Sequence, residues 1–204
     1  MLGKALGILG GSFDPVHTGH VALAMDVYEQ LNLERVIFVP AYIAPHKVGQ
    51  SYASAQDRYK MTELAVAGFR NFCVSDVELQ RGNVSYTVDT MRELRRRYPE
   101  SQEFYFIIGA DSVPQLATWH EIDELFKLVK FAVVCRSGYE EECKAARLSF
   151  GKNAERIVLV KTPEYAVSST QVRQHLAQGL PLDGLVAPAV AQYIKERGLY
   201  GFSS

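Results

Sequence analysis

Residues Gly10 to His20 read GGSFDPVHTGH, set between an apolar run and an amphipathic segment. Two imidazoles three apart, beside paired glycines, suit three kinds of ligand: a metal, a dinucleotide or a group carrying phosphates. A dinucleotide site needs glycines spaced G-x-G-x-x-G and an acid after the second strand. Here Gly7, Gly10 and Gly11 have the wrong spacing, and the second apolar run ends in Pro40 and Ala41, which disfavours hydride transfer. The Gly-Lys pair of FGKNAER lacks the remaining residues of a P-loop. For a metal, His17 and His20 can share one face of a helix start, but no third or fourth ligand follows at a familiar spacing. Capping or core roles for the two histidines stay open. Phosphate binding fits better, because Gly10 and Gly11 permit close backbone approach and a helix beginning near Thr18 presents free N–H groups and about half a positive charge.

A comparable junction lies near the other end, in TPEYAVSSTQVRQHLAQG. Ser168, Ser169 and Thr170 are helix-capping types before a segment that Gly179 closes. Arg173, three residues after Thr170, can turn its guanidinium back over the same mouth. Taken alone, this is also the pattern of an ordinary capped surface helix.

The elements that must carry these residues alternate. Apolar runs at Ala5–Leu9, Arg35–Pro40, Phe72–Leu79, Glu103–Gly109, Lys130–Arg136 and Arg156–Lys161 read as strands, most without the polar alternation of a half-exposed sheet. Between them, Val21, Ala24, Met25, Tyr28 and Leu31 fall at helical spacing, as do Val88, Met91 and Leu94. Alternating strands and helices imply a doubly wound, Rossmann-like parallel α/β sheet in one domain over residues 1–204. C-terminal helices end it, the last from about Pro188 to just before Gly198. In such a sheet, ligands bind beyond the carboxyl ends of the strands.

Composition narrows the classes further. The 204 residues are 48% hydrophobic and 22% charged with a net charge of -1, so one full core is expected and a broad basic field for nucleic acid is not. Three scattered cysteines, Cys73, Cys135 and Cys143, read as reduced thiols of a cytoplasmic protein. No run approaches the ~20 apolar residues of a membrane span, and the opening apolar stretch is too short for a signal peptide.

Together, GSFDPVHTGH and VSSTQVR closely resemble the paired signatures of the H-x-G-H nucleotidyltransferases. Three middle stretches resemble the bacterial nicotinate mononucleotide adenylyltransferase branch: APHK (Ala44–Lys47), GNVSYTVDTM (Gly82–Met91) and GADSVPQLATWHEIDEL (Gly109–Leu125). The resemblance covers the whole chain. It implies ATP and nicotinate mononucleotide as substrates, Mg²⁺ arriving with ATP and no protein metal site, and it leaves self-association into a homo-oligomer open.

By that resemblance His17, His20, Lys47 and Arg173 are the catalytic residues. ATP would contact Gly10, Gly11, Ser12, Phe13, His17, Gly19, His20, Gly109, Asp111, Arg136, Ser168, Ser169, Thr170 and Arg173. The mononucleotide would contact Ser85, Tyr86, Thr87, Asp111, Trp119 and His120, with Trp119 stacked on the pyridine ring and the Tyr86 and Thr87 N–H groups facing its carboxylate. Ala41 and Ala44 depart from the family's Asn and Pro. Arg95, Arg96 and Arg97 match no family motif and read as a solvated helix face.

Overall fold

A computed structural model describes residues 5–44, 53–101 and 103–201. The apolar runs form six strands: β1 (Ala5–Gly11), β2 (Arg35–Pro40), β3 (Phe72–Val74), β4 (Glu103–Gly109), β5 (Lys130–Arg136) and β6 (Ile157–Thr162). Successive residues of a strand face opposite sides, so the complete burial of Val36, Ile37 and Phe38 in β2 means that both faces are covered. The sheet order is β3-β2-β1-β4-β5-β6, with β4 parallel to β1 and β5, and β5 parallel to β6. This is the doubly wound order expected, and its direction reverses at β1, which makes the segment leaving β1 a place to look for a ligand.

The helices are α1 (Thr18–Gln30), α2 (Ala55–Val66), α3 (Val77–Arg81), α4 (Thr87–Arg97), α5 (Ile122–Leu128), α6 (Glu140–Leu148), α7 (Ser169–Ala177) and α8 (Pro188–Glu196). A 3₁₀ segment, Ala110–Thr118, follows β4. Two helix starts match their sequence signals. Ser54 accepts a hydrogen bond from the Asp57 N–H at 3.0 Å ahead of α2, and Pro188 opens α8.

The described residues divide into two compact units whose boundaries fall within β1, α1 and β2. One is drawn from the described residues of 5–10, 23–37 and 86–164, the other from those of 11–22, 38–85 and 165–201.

Three expectations are corrected. The third strand stops at Val74 instead of reaching Leu79, because Ser75 and Asp76 turn the chain into α3. The Ser75 hydroxyl accepts from the Val77 N–H at 3.4 Å, and Gly82, with φ of 69°, ends the short helix. Cys135 and Cys143 are joined in a disulfide, so only Cys73 stays outside one. Folding of α6 back toward β5 brings their Cα atoms to 6.3 Å, within disulfide reach. Arg95 is not part of a solvated face. Its guanidinium lies 4.4 Å from the centre of the Phe104 ring and donates to the Leu128 carbonyl, whereas Arg96 and Arg97 are exposed.

Candidate functional site

The turn after β1 is built around Phe13. Its backbone is left-handed, with φ of 49°, a conformation costing a non-glycine residue roughly 1–2 kcal/mol. The offset is burial of the ring, which meets His20 edge-on at 5.0 Å between centroids and leans on Phe38 at 5.9 Å. Gly11 makes room for that ring, since a Cβ there would sit 3.1 Å from it. Gly10, in the other unit, does the same for Phe106, whose ring a Cβ would meet at 3.0 Å. The paired glycines thus accommodate aromatic rings, a use that their spacing alone does not disclose.

His17 and His20 lie face to face, with centroids 3.6 Å apart and planes at 32°. The His17 N–H donates to Nδ1 of His20 at 3.2 Å, and the His20 N–H donates to the His17 carbonyl at 3.0 Å. Because Nδ1 of His20 accepts, Nε2 is the ring nitrogen that carries the proton in the neutral tautomer. His17 is only 9% exposed and its buried Nδ1 has no hydrogen-bond partner. Burial pushes its pKa down to about 4, so the ring is neutral at physiological pH. Gly19 allows this packing, as a Cβ there would come within 3.1 Å of that same Nδ1.

The His17 shift has a definite sign. Between about pH 6.5 and 4 the unfolded chain binds a proton here that the folded chain does not, so stability falls as pH falls through that window. Urea unfolding of wild type and His17→Gln at pH 7 and pH 4.5 should show wild type losing about 2 kcal/mol more than the variant. Equal losses would contradict a buried neutral imidazole.

α7 brings the second motif to the same turn. Ser168 caps the helix by accepting from the Gln171 N–H at 3.2 Å. The Ser169 hydroxyl donates to the Pro15 carbonyl at 2.8 Å. Arg173 donates through one terminal nitrogen to the Asp14 carbonyl at 2.7 Å and through the other to the Thr170 hydroxyl at 3.2 Å. Its guanidinium folds back over the helix start, as the three-residue spacing from Thr170 implied. Gly179, with φ of 64°, closes the helix beyond its last turn.

Three residues of this group escaped the reading of motifs. Arg58 of α2 is 3% exposed and donates to the carbonyls of Ser12 at 2.7 Å, Tyr42 at 3.1 Å and Ala53 at 3.3 Å. One buried guanidinium therefore fixes the exits of β1 and β2. Burial lowers its pKa, and the charge of Asp14 opposes that shift. A signal was present: Arg58, Met61, Thr62 and Ala65 share the core-facing stripe of α2, where an arginine is out of place without partners. Asp14, which lies within GSFDPVHTGH but had no role assigned there, and Tyr200, which nothing in its local sequence marked, are the other two.

Ser85 also has a structural contact. Its hydroxyl oxygen accepts from the Tyr42 N–H at 3.0 Å and its own N–H donates to the Ile43 carbonyl at 2.9 Å. It is buried and anchors the exit of β2. Lys47 lies outside the described residues.

In the other unit, α4 starts at Thr87 with Tyr86 as a cap residue whose side chain does not bond the helix. Thr87 is thus the first helical residue and not the cap. The Tyr86 ring packs 4.5 Å from the His120 ring. Arg92 ties α4 to the start of α5 through ion pairs with Glu121 and Glu124 at 2.5 Å each. Trp119 is half-buried, edge-on to Phe106 at 5.9 Å and Phe131 at 6.1 Å. Asp111 is exposed and folds over Gly109, where any Cβ would collide with its carboxylate. Arg136 is exposed, paired with Glu164 at 3.2 Å. Among the described residues no group of three or more His, Cys, Asp or Glu could hold a metal ion.

A doubly wound sheet whose first turn carries two stacked imidazoles and is bonded by a capped helix bearing an arginine marks a nucleotidyltransferase-type protein. The chain belongs to the cytidylyltransferase-like family, whose model matches residues 8–175, and to the nicotinate-nucleotide adenylyltransferases among its relatives. A protein of Saccharopolyspora erythraea named "Probable nicotinate-nucleotide adenylyltransferase" is 44% identical over 97% of this chain and 90% of its own. One of the same name from Geobacillus thermodenitrificans is 42% identical over 98% of this chain and 87% of its own. Among solved structures, the fold is shared with Plasmodium falciparum nicotinic acid mononucleotide adenylyltransferase complexed with NaAD. That match has a TM-score of 0.77, 21% identity and 98% coverage of both chains.

Proposed function

We propose that the protein transfers AMP from ATP to nicotinate mononucleotide, releasing pyrophosphate and forming deamido-NAD, a step of NAD biosynthesis. The observation that carries this reading is that the turn after β1 holds His17 and His20 face to face and is bonded by Ser169 and Arg173 of α7, with the Thr170 hydroxyl against the guanidinium, which brings imidazole, hydroxyl and guanidinium groups suited to phosphate oxygens to one turn. The relatives' shared name supplies the substrate class.

The reacting phosphate of the mononucleotide is largely deprotonated near pH 7, its second pKa being about 6, so it attacks the α-phosphorus without a general base. The O–P bond to the α-phosphorus forms as the bond to the departing pyrophosphate breaks. The protein's contribution is to position two anions and to stabilise charge that develops between them. Nε2–H of His20 donates to the reacting phosphoryl group, and the neutral His17 lies against it. Arg173 and Thr170 hold the leaving pyrophosphate, Ser169 fixes α7 against the turn through its bond to the Pro15 carbonyl, and Lys47 neutralises the same charge. Mg²⁺ enters as part of the Mg–ATP substrate, held by phosphates and water. Trp119, Tyr86, Thr87, His120 and Asp111 receive the pyridine mononucleotide. We place the enzyme in the cytoplasm, working without nucleic acid. No described helix is long and apolar enough to cross a membrane.

The test is pyrophosphate release from ATP with nicotinate mononucleotide, nicotinamide mononucleotide or phosphopantetheine. Release is expected with the first, and less with the second. Release with phosphopantetheine alone would overturn the substrate, and release with none would overturn catalysis.

A further inference from the structure

The carboxylate of Asp14 is buried, with the residue 6% exposed, and it accepts a hydrogen bond from the Tyr200 hydroxyl at 2.7 Å. The residues are 186 apart in sequence. Tyr200 reaches this position from a left-handed backbone, with φ of 59°, in the turn Leu199–Gly201 after α8. A tyrosine gains nothing locally from that conformation. The carbonyl of the same Asp14 is the acceptor for Arg173, and the next carbonyl, of Pro15, is the acceptor for Ser169. Arg58 holds the Ser12 carbonyl from the opposite end of the turn. The turn that seats the phosphate donors is thus gripped at one end by α2 and at the other by the last described turn. α8 is itself tied down, since Tyr193 and Arg197 both donate to the Asp57 carboxylate, at 2.9 and 3.3 Å.

We propose that Tyr200 is a positioning residue for the phosphate site: by holding the Asp14 carboxylate it fixes the carbonyl on which the Arg173 guanidinium rests. It touches no substrate and acts only through Asp14. Burial and the Asp14 charge both push the Tyr200 phenol well above its ordinary range, so it remains a proton donor at every working pH. Without the hydroxyl the buried carboxylate loses a bond that no side chain of similar shape can replace. The Asp14–Pro15 segment then shifts and Arg173 with it.

Inorganic pyrophosphate is the probe, its affinity measured by calorimetry for wild type, Tyr200→Phe, Arg173→Met and the double variant. Tyr200→Phe should weaken binding about fivefold. In the Arg173→Met background the same change should weaken it less than twofold, because the guanidinium it positions is gone. Equal losses in both backgrounds, or no loss in either, would overturn the proposal, even if Tyr200→Phe lowers the melting temperature. Asp14→Asn weakens the same bond from the acceptor side and must show the same dependence on Arg173, which keeps the test available if Tyr200→Phe folds poorly. The inference rests on the adenylyl-transfer reading, but pyrophosphate binding separates the two. An enzyme inactive with every mononucleotide that still shows the Arg173 dependence would refute that reading and support this one.

Discussion

His20→Ala should lower turnover by on the order of 100- to 1000-fold while leaving the fold intact, the loss typical when one preorganised donor to a developing negative charge is removed. Preorganisation is visible in three contacts. The ring meets Phe13 edge-on and His17 face to face, and its Nδ1 is engaged by the His17 N–H, so the neutral tautomer carries its proton on Nε2. Alanine keeps the helical backbone of α1 and removes a half-buried side chain, so the expected fall in melting temperature is small. Steady-state rates with saturating ATP and mononucleotide, beside circular dichroism of both proteins, give the comparison. Near-normal turnover in a folded His20→Ala protein would remove His20 from the chemistry.

The second large effect belongs to Arg173. Arg173→Met should reduce turnover about 100-fold, raise KM for ATP and weaken product inhibition by pyrophosphate, because the guanidinium is assigned to the leaving group. Arg173→Lys should recover only part of the loss. A guanidinium can bond the Asp14 carbonyl with one nitrogen and the Thr170 hydroxyl with the other while still presenting N–H groups to an anion, whereas an ammonium offers three donors at a single point. Full recovery with lysine would show that only the charge matters. A KM for ATP unchanged in Arg173→Met would place the residue away from the triphosphate.

Much of this arrangement was legible in the residues because the signals are local. Apolar runs bounded by turns became strands, and Ser54, Ser168, Pro188 and Gly179 acted where helix chemistry puts such residues. Locality also explains the failures. Ser75, bonded by the Val77 N–H two residues on, ended a strand pattern, and Arg95 left a polar face because Phe104, from another element, offered it a ring. The disulfide depended on α6 folding back toward β5, which an eight-residue separation does not announce. At the candidate site the donors were readable as motif residues. What holds them was not, since Asp14 and Tyr200 are ordinary types whose contact spans the length of the chain, and nothing near Ser85 announced that its hydroxyl oxygen accepts from the Tyr42 N–H.

The turn after β1 carries one consequence for how the protein is made. Its partners Ser169, Arg173 and Tyr200 lie 154, 159 and 186 residues downstream of the groups they bind. At ribosomal speeds of about 5–20 residues per second, the turn emerges about 8 to 37 seconds before the side chains that shape it. A nascent chain can assemble strands and helices in that interval, yet the proposed phosphate site must wait for α7 and the turn after α8 to arrive.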